Sequence, residues 1–183
     1  MGAPGGHETR RWPVAWLILA AVVVVLDQVT KALASRFLEL HQPLPVLPFL
    51  DLTLMHNRGA AFSLLSDAAG WQRWFFTGLA LAVSAVIVWW LRRLPREEKW
   101  QGTALALVLG GALGNVWDRL QLGYVVDFID VYYRDWHWPA FNVADSAITV
   151  GAVLLIADSF RRPGRASPSG SPSGTKPDSR EDR

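Results

Sequence analysis

The sequence predicts an all-α polytopic membrane protein: four transmembrane helices, a small strand-rich extracytoplasmic flap and a short amphipathic surface helix. Three observations predict it. Of 183 residues, 51% are hydrophobic and only 19% charged, too apolar a balance for an ordinary soluble domain. The apolar residues gather into four runs, each near the roughly 20 residues that cross about 30 Å of hydrocarbon. The basic residues fall into three groups that alternate with those runs in the way a membrane topology demands.

The spans are read at 12–33, 71–91, 101–117 and 141–160. Arg10 and Arg11 precede the first. Arg92, Arg93, Arg96 and Lys99 fill the loop between the second and third, and Arg161, Arg162 and Arg165 follow the fourth. With four spans these groups share one side, which the positive-inside rule makes cytoplasmic, so both termini are expected there. The ten Trp residues, from Trp12 and Trp16 to Trp136 and Trp138, fall near predicted membrane edges, where an amphipathic indole is most comfortable. Arg10–Arg11, the run Trp16–Leu26 and Ala32-Leu33-Ala34 imitate a secretory signal with a cleavage site. Its removal would leave three spans without changing the sidedness of the rest.

Residues 1–11 and 163–183, rich in Gly, Ser, Pro and charge, have nothing to bury and are expected to be disordered cytoplasmic extensions of a membrane domain at 12–162. In the first outer loop Pro43, Pro45 and Pro48 exclude a helix. Leu50–Leu54 then alternates apolar and polar, the period of a half-buried strand. After Asn57-Arg58-Gly59, the apolar stretch Ala60–Leu65 ends in Ser66-Asp67 and Gly70, which reads as a short helix on the membrane surface.

The chemistry is concentrated in acids. The chain has no Cys, which removes the thiol nucleophile, and His7, His41, His56 and His137 show no ligand spacing, so no metal or other cofactor is implied. Asp127 in YVVDFID and Asp145 in FNVADSAIT flank or enter stretches otherwise fit for lipid. A carboxylate there costs several kcal/mol to keep charged, roughly 3 on insertion scales, and is rarely decorative. Asp127 has a bland reading as a loop or capping residue. Asp145 has one as the acidic position of a capping box begun by Asn142. Asp27 and Lys31 stand four apart, so an ion pair on one helix face competes with a role for Asp27 in orienting a polar site.

Asn57-Arg58-Gly59 reads as a turn, or as an amide donor for a peptide substrate. Gly110 and Gly114 form a GxxxG packing pattern, beyond which Asn115 and Arg119 share a helix face. Asp118, Asp130 and Asp135 read as solvent-facing, and Asp158 as lying at the cytoplasmic end. What separates function from accident is position: Asp27, Asn57, Asn115, Arg119, Asp127, Asn142 and Asp145 all map to the outer membrane edge. Polar groups from five segments converging at one depth read as a site. A proton-coupled transporter is the competing class, but its relay would need a carboxylate near mid-membrane on the second or third span.

With DQVTK, NRGAAF, GGALGNVWDR, GYVVDFID and FNVADSAI in that order, the chain resembles the lipoprotein signal peptidase family, also called signal peptidase II, over roughly residues 14–160. The resemblance implies a multi-pass aspartic endopeptidase of the bacterial inner membrane. It would remove signal peptides from diacylglyceryl-modified prolipoproteins on the N-terminal side of the lipid-modified Cys. Asp127 and Asp145 would be the catalytic dyad, with Asp27, Asn57, Asn115, Arg119 and Asn142 shaping or supporting the site. The implied partners are prolipoproteins and membrane lipid, not nucleic acid, and the oligomeric state is left open. The family keeps its first span, which argues against cleavage after Ala34.

Overall fold

Helix α3, Lys99–Gln121, is the axis on which the other helices are assembled. It packs against α1 (Val14–Phe37), α2 (Trp71–Leu91) and α4 (Val143–Arg161). This computed structural model describes residues 13–59, 70–95 and 97–161. The terminal segments expected to be disordered, the surface helix expected after Gly59, and Arg10, Arg11, Arg96, Arg162 and Arg165 lie outside the described residues.

Small residues explain why α3 holds the centre. A Cβ on Gly110 would lie 2.7 Å from the Ala20 carbonyl oxygen and from Val23 Cβ, and one on Gly114 would lie 2.6 Å from Asp27 Oδ2. The row Gly110, Gly114, Asp118 therefore lies against the row Val23, Asp27, Lys31 of α1, each row spaced by four. The adjacent row of α3, Gly111 and Asn115, faces Ala144, Asp145 and Ile148 of α4. A helix enclosed by others needs fewer lipid-facing apolar groups. By length and composition α1, α2 and α4 are apolar enough to cross a membrane; α3 is not among them.

The two ends of the bundle differ. At one end Trp16 packs on Gly102, the Arg93 guanidinium lies 4.2 Å from the Trp89 ring and that of Arg161 lies 5.4 Å from Trp100. At this end Ala20, Ile87, Leu91, Leu105 and Leu109 form an apolar core. At the other end stands an antiparallel sheet of order β1-β2-β3-β4: Pro43–Leu47, Leu50–Asn57, Val125–Tyr133 and Trp136–His137. Leu54, Val126 and Phe128 of the sheet pack with Ala34 at the end of α1, seating the sheet on the helices.

The strand-rich flap is thus larger than the sequence reading allowed. YVVDFID reads from the sequence as flanking or entering a stretch fit for lipid. It is instead most of β3, and it pairs with β2 in the register Met55↔Asp127, His56↔Val126, Asn57↔Val125. Helices α1 and α3 also continue past the expected spans, to Phe37 and Gln121, so Arg119 is helical and shares a packed face with Asn115.

Candidate active site

Four segments supply the side chains around Asp127. Asp127 is 2% exposed, in β3. Asn57 closes β2, and its Nδ2 donates to Asp127 Oδ2 at 3.0 Å while its Oδ1 accepts the Gly59 N–H at 2.8 Å. That turn requires glycine, because Gly59 has φ +94° and Phe76 occupies the space a Cβ would need. Asn142, completely buried, precedes α4 and caps it: its Oδ1 accepts the Asp145 N–H at 2.9 Å. Its Nδ2 donates to Asp127 Oδ1 at 2.7 Å and also lies 3.2 Å from the Val126 carbonyl oxygen.

Asp145 sits in the first turn of α4, where the helix dipole favours a negative charge. In a full capping box its carboxylate would turn back to the cap residue. Here Oδ1 accepts Asn115 Nδ2 from α3 at 2.7 Å. Arg119, one turn further along α3, donates Nη1 to the Asn115 carbonyl oxygen at 3.3 Å and lies 5.5 Å from the Phe76 ring. Its charge is felt by Asp145, Asp127 and Asp118.

The electrostatics of Asp127 are opposed. Burial raises its pKa most, and the charge of Asp145 raises it further, while the amides of Asn57 and Asn142 and the charge of Lys31 lower it. Desolvation prevails, and the carboxyl is raised from 3.8 to about 6. Two carboxyls that sense each other, one tuned toward neutrality, can hold one proton between them and activate water. Among the described residues, no three His, Cys, Asp or Glu side chains are arranged to hold a metal ion.

Asp27 lies behind this group, completely buried. It pairs with Lys31 at 2.8 Å, and its Oδ1 accepts the Ala144 N–H at 2.9 Å, so the ion pair and an orienting contact coexist. All seven residues singled out from the sequence therefore lie in one connected region at the sheet end of the bundle.

Three further members were missed. Asp118, read as solvent-facing, is 2% exposed: it pairs with Lys31 at 2.9 Å, accepts Gln28 Nε2 at 2.8 Å and accepts the Val126 N–H at 3.1 Å. Lys31 and Gln28 join it from α1. The signal was present, since Asp118 continues the Gly110–Gly114 row by one more turn and so had to face α1. Asp130 is buried as well, with His137 Nδ1 2.9 Å from its Oδ1, whereas Asp135 is exposed. An edge strand, β4, folds back beside Asp130 and brings His137 to it.

Comparison with known proteins identifies the family and the fold. The profile of the family described as Signal peptidase (SPase) II matches residues 19–161. The chain is similar to the lipoprotein signal peptidase of Acinetobacter baumannii strain ATCC 17978, 60% identical over 145 residues, covering 79% of this chain and 82% of that protein. It is similar to the lipoprotein signal peptidase of Pseudomonas putida, 54% identical over 160 residues, covering 86% and 94%. Among solved structures it resembles a bacterial membrane enzyme determined by the in meso method at 2.3 Å, with TM-score 0.73, 30% identity and coverage of 86% and 94%. A second such structure, at 1.9 Å, gives TM-score 0.72, 32% identity and coverage of 80% and 93%. The family match runs from within α1 to the end of α4, and the chain belongs to the signal peptidase II family, a family of proteases.

Proposed function

We propose that this protein is a membrane-embedded aspartic endopeptidase that cleaves signal peptides from diacylglyceryl-modified bacterial prolipoproteins, on the N-terminal side of the lipid-modified Cys. The observation that carries the reading is that one side chain, Asn142, donates to the Asp127 carboxylate and accepts the Asp145 backbone N–H, tying the strand and the helix that bear the two acids. The names of its relatives supply the substrate class.

In the proposed reaction one carboxyl of the pair holds a proton and the other is charged, because two in one desolvated site cannot both ionise cheaply. The charged carboxylate takes a proton from a bound water, whose oxygen attacks the scissile carbonyl carbon. The protonated carboxyl hydrogen-bonds the carbonyl oxygen as it gains charge. Collapse of the tetrahedral intermediate breaks the C–N bond, and a proton passes to the leaving amine. The resting proton belongs to the pair. Asn57 and Asn142 hold Asp127 through one oxygen each, and Asn115 holds Asp145.

The protein sits in the bacterial inner membrane on four spans, α3 counted among them because it is shielded by its neighbours. The basic end lies in the cytoplasm with both termini. The sheet lies at the outer headgroup level, where a lipid-anchored Cys would be presented, and the hairpin of β1 and β2 shields the reacting bond from water. The test is cleavage in detergent of a diacylglyceryl-modified prolipoprotein and its unmodified precursor. Cleavage of the modified substrate alone supports the reading; cleavage of neither by folded protein sinks it.

A further inference from the structure

The acid pair is held from behind by a device that the reaction above does not use. Lys31 is 3% exposed, and its ammonium makes three contacts: Asp27 Oδ2 at 2.8 Å, Asp118 Oδ2 at 2.9 Å and Asn115 Oδ1 at 3.0 Å. Each of the two carboxylates accepts one backbone N–H. Asp118 takes that of Val126, the residue immediately before Asp127. Asp27 takes that of Ala144, the residue immediately before Asp145. One buried cation thus joins the carboxylates that fix β3 and α4 one residue short of each acid.

The third contact sets a polarity. An ammonium donates and cannot accept, so the Asn115 atom facing Lys31 must be its oxygen. The Asn115 amide nitrogen is then turned toward Asp145, where it donates at 2.7 Å. Asn142 obeys the same logic, because the Asp145 N–H claims its oxygen and turns its nitrogen to Asp127. A free amide could flip; Lys31 at 3.0 Å, seconded by Asn142 Nδ2 at 3.3 Å from the same oxygen, removes that freedom from Asn115.

We propose that Lys31 is the positioning residue of the dyad. It sets the separation of Asp127 and Asp145 through Asp118 and Asp27, and it fixes the donor orientation of Asn115 toward Asp145. It touches no substrate. The proposal rests on the endopeptidase reading, and its test is arranged so that the two fail separately.

The experiment compares wild type with Lys31→Met and with Lys31→Met/Asp118→Asn. The double variant removes the cation together with one carboxylate, so the net charge of the cluster is kept. Folded protein is quantified by monodispersity and thermal midpoint in detergent. Cleavage of a diacylglyceryl-modified prolipoprotein is then followed across pH. If wild type does not cleave, the functional reading fails and Lys31 is not at issue. If wild type cleaves, the folded variants should show kcat lower by about 100-fold, the scale of an ångström of misplacement at a reacting centre. KM should stay within about threefold, because the substrate contacts are intact. In Lys31→Met the alkaline limb of the rate profile, where the pair loses its shared proton, should move upward, Asp127 having lost a nearby positive charge. A folded variant with wild-type kcat and an unmoved profile overturns the proposal. So does failure of both variants to fold, which would make Lys31 a folding residue only.

Discussion

Asn142 donates its Nδ2 to Asp127 Oδ1 at 2.7 Å, although the two residues belong to different elements and lie fifteen positions apart. The same side chain accepts the Asp145 N–H and begins α4, so the cap of a helix is also the link between two acids. A helix cap is worth about 1 kcal/mol, and a capping residue such as Ser could replace that part. It could not reach Asp127.

Asn142→Ser should therefore separate the two roles. The thermal midpoint should fall only slightly, in keeping with a retained cap, while kcat falls by about 100-fold or more as Asp127 loses a donor and its alignment. Activity assays and thermal unfolding in detergent check both. A variant with near wild-type kcat would show that the Asp127 contact is incidental.

Asp127 also carries a pH signature. Its folded-state pKa, about 6, is raised above the ordinary 3.8, with burial the largest cause. A raised carboxyl contributes stability fully below its unfolded value and loses it as pH climbs through the folded value. The window is therefore about 3.8 to 6, and the amount is on the order of 3 kcal/mol. Asp127→Asn removes this dependence. The midpoint of the variant relative to wild type should rise as pH goes from about 4.5 to 7.5, and a flat difference would contradict the burial argument. In wild type, kcat/KM should fall on the alkaline side as the pair loses its one shared proton near the same value.

Glycines on α3 divide by what they face. Gly114→Ala would place a Cβ 2.6 Å from Asp27 Oδ2 and push that carboxylate off Lys31 and the Ala144 N–H. The expected cost is about 1–3 kcal/mol of stability, with kcat lowered besides. Gly78→Ala on α2, where a Cβ meets nothing within 4 Å, should change stability by less than about 0.5 kcal/mol and leave cleavage unchanged. Equal effects at the two positions would refute the packing account of the Gly110–Gly114 row.

The hairpin of β1 and β2 is not separable from the site. Residues 50–57 pair with β3, and Asn57 at their end bonds Asp127. Deleting Pro48–Thr53 should therefore abolish turnover and lower the thermal midpoint together. Unchanged turnover and substrate affinity would show that the hairpin neither shields the site nor supports β3.

Much of this was legible in the sequence because hydrophobic length and the periodic placement of Asn, Arg and Asp are local signals. The seven candidate residues could be collected from motifs that fall at one depth. What was lost lay in pairing and in helix faces. Val125–Tyr133 is rich in β-branched and aromatic residues, a strand signal, yet with a span beginning close behind it the acid in its middle drew attention as a membrane carboxylate. Asp118 looked solvated because it stands at the end of an apolar run. The docking of the Val23, Asp27, Lys31 row against the Gly110, Gly114, Asp118 row buries it, as the four-residue spacing carried one turn past Gly114 already implied. Lys31 was considered only as the partner of Asp27, since nothing along the chain brings Asn115 or Asp118 to it.

The most direct test of the central claim is a gel-shift cleavage assay. It sets wild type, Asp127→Asn and Asp145→Asn against a diacylglyceryl-modified prolipoprotein and its unmodified precursor, each enzyme shown folded in detergent. The account predicts cleavage of the modified substrate by wild type alone, with both variants inactive. Substantial cleavage by either folded variant would contradict it.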